Sequence, residues 1–229
     1  MAKLVQKSGY IKSGKASGYM RYIATREGVE RLAGNGAVTK GQRELIQKLL
    51  HDFPDAVELF EYEDYCKTPT LGTASAFITM ALDANLHEID SESGYMQYIA
   101  TRPRVQKRGT HGLFSSATAV DLASAMSELE AHEGNVWTII YSLRREDAAR
   151  LEFDNADAWR TLLMENAPTL AKSMKISLNN FHWYAAFHDE GHHPHIHMMV
   201  WSDDPKEGFL TKDGIAAMRS KLTNAIFRD

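Results

Sequence analysis

The stretch FHWYAAFHDEGHHPHIHMMVW, residues 181–201, decides how this chain folds. Residues 181–188 and 195–201 read as two strands, and the segment between them, with Gly191 and Pro194, reads as a turn. A short turn between strands makes an antiparallel hairpin. Side chains two apart on a strand share a face. His195 and His197 therefore present their imidazoles side by side, while Ile196, Met198 and Val200 face the core. His188 ends the first strand, and the hairpin brings it beside that pair. The result is a three-histidine site with open positions for water and substrate. Imidazole donors of this kind suit Mn, Zn, Ni, Co or Fe better than Ca. His192 and His193 read as solvated turn residues. Asp189 and Glu190 are candidates to orient a ligating ring, against the commoner role of exposed turn acids.

Working outward, a strand is expected over 4–11, then the loop KSGKASG and a helix running through Tyr22. Short helices are expected over 42–50 and 56–65, split by Pro54, and over 74–82. Helical periodicity returns at 118–130, and VWTIIYSL, residues 136–143, is β-branched and aromatic and reads as a strand. Residues 157–164 read as a helix, Pro168 as the first-turn proline of another, and Thr211 as the cap of a last amphipathic helix. This mixture is that of an α+β domain built around an antiparallel sheet and packed by helices. Residues 27–92 read as a mostly helical insertion within a single domain spanning 1–229. The closing AIFRD reads as helix, which suggests a further C-terminal region.

The net charge of −4 at first argues against a nucleic-acid partner. The charge is unevenly spread, however. Residues 1–50 carry ten Lys/Arg against three Asp/Glu, and 93–112 carry four basic residues and no acid. Segment 51–92 carries ten acids against one lysine, which makes it a poor DNA contact. Phosphate affinity follows local patches rather than the sum. No apolar run is long enough to span a membrane, and the N-terminus lacks the apolar stretch of a signal peptide. The single Cys66 excludes an internal disulfide and cysteine-based zinc motifs, which fits a reducing cytoplasm.

Each basic block holds one copy of a repeat. Residues 17–26 read SGYMRYIATR and residues 93–102 read SGYMQYIATR, 76 residues later. At helical spacing Tyr19, Tyr22 and Arg26 lie near one face, as do Tyr95, Tyr98 and Arg102. A phenol is a weak nucleophile at neutral pH, and a neighbouring guanidinium or metal ion activates it. Core packing of an amphipathic helix is the competing reading.

Two strand histidines around an apolar residue, with a tyrosine on a helix, resemble the HUH endonucleases. His188 lies at the upstream spacing of MobP-type conjugative relaxases, and VWTIIYSLRRED resembles their central motif. YIATRPRV, HGLF, FEYEDY and FHDEGHHPHIHM make the MobL-type relaxases the nearest resemblance, over essentially the whole chain. The resemblance implies a ferredoxin- or RRM-like palm whose central sheet carries the histidines. It implies site- and strand-specific nicking and religation of single-stranded or hairpin DNA at an origin of transfer, through a 5′-phosphotyrosine, in the bacterial cytoplasm. It further implies accessory mobilisation or coupling proteins as partners. The ion in use would be Mn or Mg, with Zn, Ni or Co also fitting. The nucleophile's place after the first strand and its loop points to Tyr22, with Tyr98 the alternate. Lys12, Lys15, Arg26, Arg102 and Ser142 would contact DNA. HPHIHMM also resembles the histidine-triad nucleotide hydrolases, although the proline fits that pattern poorly. A non-cleaving DNA-binding module with a structural metal is the third alternative.

Overall fold

Alternation of inward and outward residues lays the chain into a five-stranded sheet. The computed structural model describes residues 3–10, 36–85, 92–101, 105–107, 110–117, 119–189 and 193–228. The chain divides into two compact units, Met1–Ile11 with Ser91–Asp229, and Lys12–Asp90.

The first unit holds strands β1 (Val5–Tyr10), β2 (Leu113–Phe114), β3 (Trp137–Ser142), β4 (Phe181–His188) and β5 (His195–Ser202). Their spatial order is β1-β3-β5-β4-β2, and every neighbouring pair is antiparallel. With its helices this is the expected α+β architecture. The β4–β5 hairpin pairs His188 with His195 and Phe181 with Ser202. One face of the sheet presents Phe114, Ile139, Tyr141, Trp183, Ala185, Phe187, Ile196, Met198 and Val200 to the main core. Helices α7 (Ala156–Ser173) and α8 (Lys212–Ile226) fill that core with Trp159, Leu162, Leu163, Leu170, Met218, Leu222 and Ile226. Burial of this apolar surface is the main stabilising term, about 25 cal/mol per Å².

Caps mark where these helices start. Thr211 accepts from the Gly214 amide and Asn155 from the Ala158 amide. Gly214 is needed for packing, because a Cβ there would collide with the Ser173 carbonyl oxygen at the end of α7. The remaining helices of this unit are α4 (Glu92–Thr101), α5 (Leu122–Glu130) and the short α6 (Arg145–Arg150).

Two boundaries differ from expectation. Pro168 does not open a new helix but lies inside α7, which runs unbroken through it. The carbonyl that a residue 168 amide would have served belongs to Met164, which is 41% exposed, so water can satisfy it. Strand β2 falls in the HGLF segment, where no strand was expected; two residues are too few to show a period.

The second unit is helical where described, with α1 (Lys40–Asp52), α2 (Phe60–Lys67) and α3 (Leu71–Asn85). Thr39 and Gln42 form a capping box at the start of α1. The helix expected over 56–65 is broken. Pro54 starts a 3-10 turn ending at Glu58, and Leu59 takes an extended backbone before α2. That kink buries Leu59 and Phe60 together.

Candidate metal centre

The pleat sorts the strand residues into two sets. Opposite the core face lie two rows that cross the sheet. The first runs Val5, Ser142, His195, His188, and the second runs Lys7, Ile140, His197, Ala186, Leu113. The three histidines are therefore neighbours by register, as expected for His188, His195 and His197. Their ring centroids are 4.6 Å apart for His188 and His197, 5.1 Å for His195 and His197, and 5.2 Å for His188 and His195. One nitrogen from each ring lies within 4.8 Å of the others, and all three residues are buried.

Main-chain carbonyls fix which nitrogen two of the rings, His188 and His195, can offer. A carbonyl oxygen can only accept, so a ring nitrogen bonded to one must carry the proton. His188 donates from Nε2 to the Ile99 carbonyl at 2.8 Å, which leaves Nδ1 as its ligand atom. His195 donates from Nδ1 to the His193 carbonyl at 3.0 Å, which leaves Nε2. Nδ1 of His188 and Nε2 of His195 and His197 are all buried. His188 and His195 thus have orienting hydrogen bonds behind them, and with His197 they make a donor set that could hold a divalent transition ion.

The carbonyl bonded to His188 belongs to the second repeat copy. Ile99 is in α4, directly after Tyr98, and the chain beyond the helix returns to the same place. Val105 bridges to His188, and the Gln106 amide donates to the Phe187 carbonyl at 2.9 Å. Gly112 allows this close packing, because a Cβ would collide with the Val105 side chain. Its amide donates to the Ala100 carbonyl at 2.8 Å. Tyr95 and Tyr98 are placed in α4 by their main chain.

Ser142 ends β3 directly beside His195 and is 1% exposed. Its Oγ has no hydrogen-bond partner among the described residues. Asp189 follows His188, but its carboxylate is engaged by Arg145 at 2.6 Å and is exposed. Tyr22, Lys12, Lys15, Arg26, Arg102, Glu190 and His192 lie outside the described residues. His193, expected in a solvated turn, is only 4% exposed and supplies the carbonyl that orients His195.

Two described tyrosines of the sheet are poor nucleophiles. Tyr141 points into the main core, and burial pushes its phenol far above the ordinary range. Tyr184 lies on the histidine face. Desolvation first, then its hydrogen bond to Glu128, pushes it up to about 12.

The hairpin carries three convergent histidines, and the family model of MobL relaxases matches residues 1–228. The chain belongs to the MobL relaxase family. No curated protein and no solved structure matches it. Family membership makes the protein a DNA-nicking enzyme of conjugation and mobilisation that acts on an origin of transfer. Relaxases generally use a divalent metal, and the histidine cluster could hold one. No helix among the described residues is long and apolar enough to cross a membrane.

Sequence reasoning missed the carbonyls of Ile99 and His193. Main-chain atoms carry no residue signature, so only the tertiary path could reveal them.

Proposed function

We propose that this MobL relaxase nicks and religates one strand of single-stranded or hairpin DNA at a specific origin site through a 5′-phosphotyrosine. The observation that carries the reading is the set of three buried imidazole nitrogens within 4.8 Å of one another on one sheet face. His188, His195 and His197 would hold a divalent ion, with Mn or Mg in use and Zn, Ni or Co also fitting. That ion would supply positive charge for the scissile phosphate.

The tyrosine hydroxyl attacks phosphorus in line. The new bond joins its oxygen to phosphorus, the bond to the 3′ oxygen breaks, and the phenolic proton ends on the freed 3′-hydroxyl. Attack by an incoming 3′-hydroxyl reverses the step and reseals the strand, so no nucleotide triphosphate is consumed. The order of motifs alone would assign the attack to Tyr22. The hydrogen bond from His188 to Ile99 favours Tyr98, because the residue next to it then shares a helix with a group that orients a metal ligand. Ser142, beside His195, is suited to hold a DNA oxygen. Lys12, Lys15, Arg26 and Arg102 are candidates to hold the backbone, Asp189 and Glu190 to tune the site, and 27–92 to be an insertion within the nicking domain. The reaction is assigned to the bacterial cytoplasm, with accessory mobilisation or coupling proteins as partners.

The test is incubation with Mn²⁺ and a labelled single-stranded origin oligonucleotide, read on denaturing gels. A covalent adduct should form with wild type and with Tyr22→Phe, and vanish with Tyr98→Phe. The reverse pattern would return the role to Tyr22. Cleavage with no adduct in any variant would sink the tyrosine mechanism, and turnover of small nucleotides would favour the hydrolase resemblance instead.

A further inference from the structure

The HGLF segment, residues 111–114, is a motif that the site has not yet absorbed. Its first residue, His111, is 7% exposed, and both ring nitrogens are engaged. Nδ1 accepts from the Leu113 amide at 3.1 Å, so it carries no proton. Nε2 therefore carries the proton and donates to the Val120 carbonyl, also at 3.1 Å. The ring is a neutral staple. It closes a local turn over Gly112 and ties that turn to the residue before Asp121, the cap of α5.

What the staple fixes lies one bond away. The Gly112 amide donates to the Ala100 carbonyl at 2.8 Å, and the carbonyl of the preceding residue, Ile99, accepts from His188. Carbonyls in the last turn of a helix lack partners within it, so groups outside the helix decide where its end settles. For α4 those groups include Gly112 and His188. Gly112 also packs on Val105, which bridges to His188. The next residue, Leu113, pairs with Ala186 on β4, two residues before His188. His111 thus stands where the end of α4, the segment at Val105 and strand β2 converge, and each of the three meets β4 at or near His188. If the ring served the turn alone, its loss would lower stability and leave the ligating rings as they are.

We propose that His111 is a positioning residue of the three-histidine centre. It holds the end of α4 so that the Ile99 carbonyl fixes the His188 ring with Nδ1 turned towards a bound ion. The proposal rests on the metal reading of that centre. It assigns the HGLF segment to the support of a ligand that lies 77 residues later in the chain.

The probe is Co²⁺, titrated into the full chain and followed by its visible absorption. His111→Ala should weaken Co²⁺ binding about 10- to 100-fold, the range for losing a hydrogen bond behind a ligating histidine. Proton NMR of the metal-free protein supplies a second readout. Wild type should show slowly exchanging ring protons on His188 Nε2 and His195 Nδ1, each held by a carbonyl. In His111→Ala the His188 proton should exchange away while that of His195 persists, because the His193 carbonyl does not belong to α4. If His111→Ala does not fold, His111→Leu takes its place. An unchanged Co²⁺ affinity, or a His188 ring proton that persists in the variant or is missing from wild type, overturns the proposal. Loss of both ring protons together overturns it too, by reducing His111 to general support of the fold. If wild type takes up no Co²⁺, the metal reading falls by itself, and the ring protons alone then decide the role of His111.

Discussion

The two faces of the sheet are made by the same strands, and they are buried for opposite reasons. On the core face, Ile139, Tyr141, Trp183, Phe187, Ile196, Met198 and Val200 close over α7 and α8 with almost no polar atoms. Gln6 and Ser202 are buried polar exceptions at its margins. On the other face, Lys7, Thr138, Ser142, His188, His195 and His197 are buried as deeply. Apolar burial stabilises in proportion to area, whereas a buried polar group stabilises little even when it is hydrogen-bonded. The core face thus carries stability, and the histidine face spends some of it to hold reactive groups still. Sites that bind a charged substrate need such groups fixed before it arrives.

His197 and Met198 test this division most sharply, because they are adjacent in sequence and point to opposite faces. His197→Ala should lower nicking of an origin oligonucleotide by about 10²- to 10³-fold or more, the scale of losing one electrostatic stabiliser of the transition state. Mn²⁺ uptake should fall with it, while the metal-free protein unfolds at nearly the wild-type denaturant concentration. A large loss of metal-free stability would mean that the histidine face is core after all.

Met198→Ala should do the reverse. It deletes a side chain that is 1% exposed in the main core and should cost about 2–5 kcal/mol, read as a lower denaturant midpoint at unchanged slope. Below that midpoint the folded variant should bind Mn²⁺ as wild type does. Impaired metal binding at full folding would show that the two faces are mechanically coupled through β5.

The same contrast explains what could be read in advance. His188, His195 and His197 were legible because alternation and a short turn are local, and a hairpin leaves few alternatives for which rings meet. β3 was legible from its β-branched run, and α8 from its threonine cap. Lys7 was not, since VQKSGY shows its alternation but not which side faces the histidines; that depends on pairing with β3, more than 130 residues away in sequence. The role of Ile99 was hidden because a carbonyl acts there rather than a side chain. The repeat marked its tyrosine helix as unusual without saying what the helix touches. Pro168 misled because its usual place is a first turn, and only the exposure of Met164 explains why α7 tolerates it.

The smallest effect concerns Glu207, a polar cluster whose function is structural. Its carboxylate accepts from the hydroxyls of Ser177 and Ser202, from the Ser177 amide and from Asn180, tying the end of β5 to the turn before β4. These bonds, that from the Ser177 side chain foremost, hold its pKa at about 2, below the ordinary 4.5. A depressed carboxyl stabilises the fold above the unfolded value, and that contribution is lost as pH falls from about 4.5 towards 2. Since the group is open to solvent, the effect should be modest and weakened by salt. Glu207→Gln should therefore flatten the acid limb of the unfolding midpoint between pH 5 and 2, without changing Mn²⁺ binding at pH 7. The histidine face differs here too, because its buried rings converge on one another and could hold a metal ion. If Glu207→Gln disturbed the metal centre, the hairpin would be transmitting strain along its length, and the separation of stability from function would fail where the two faces share a strand.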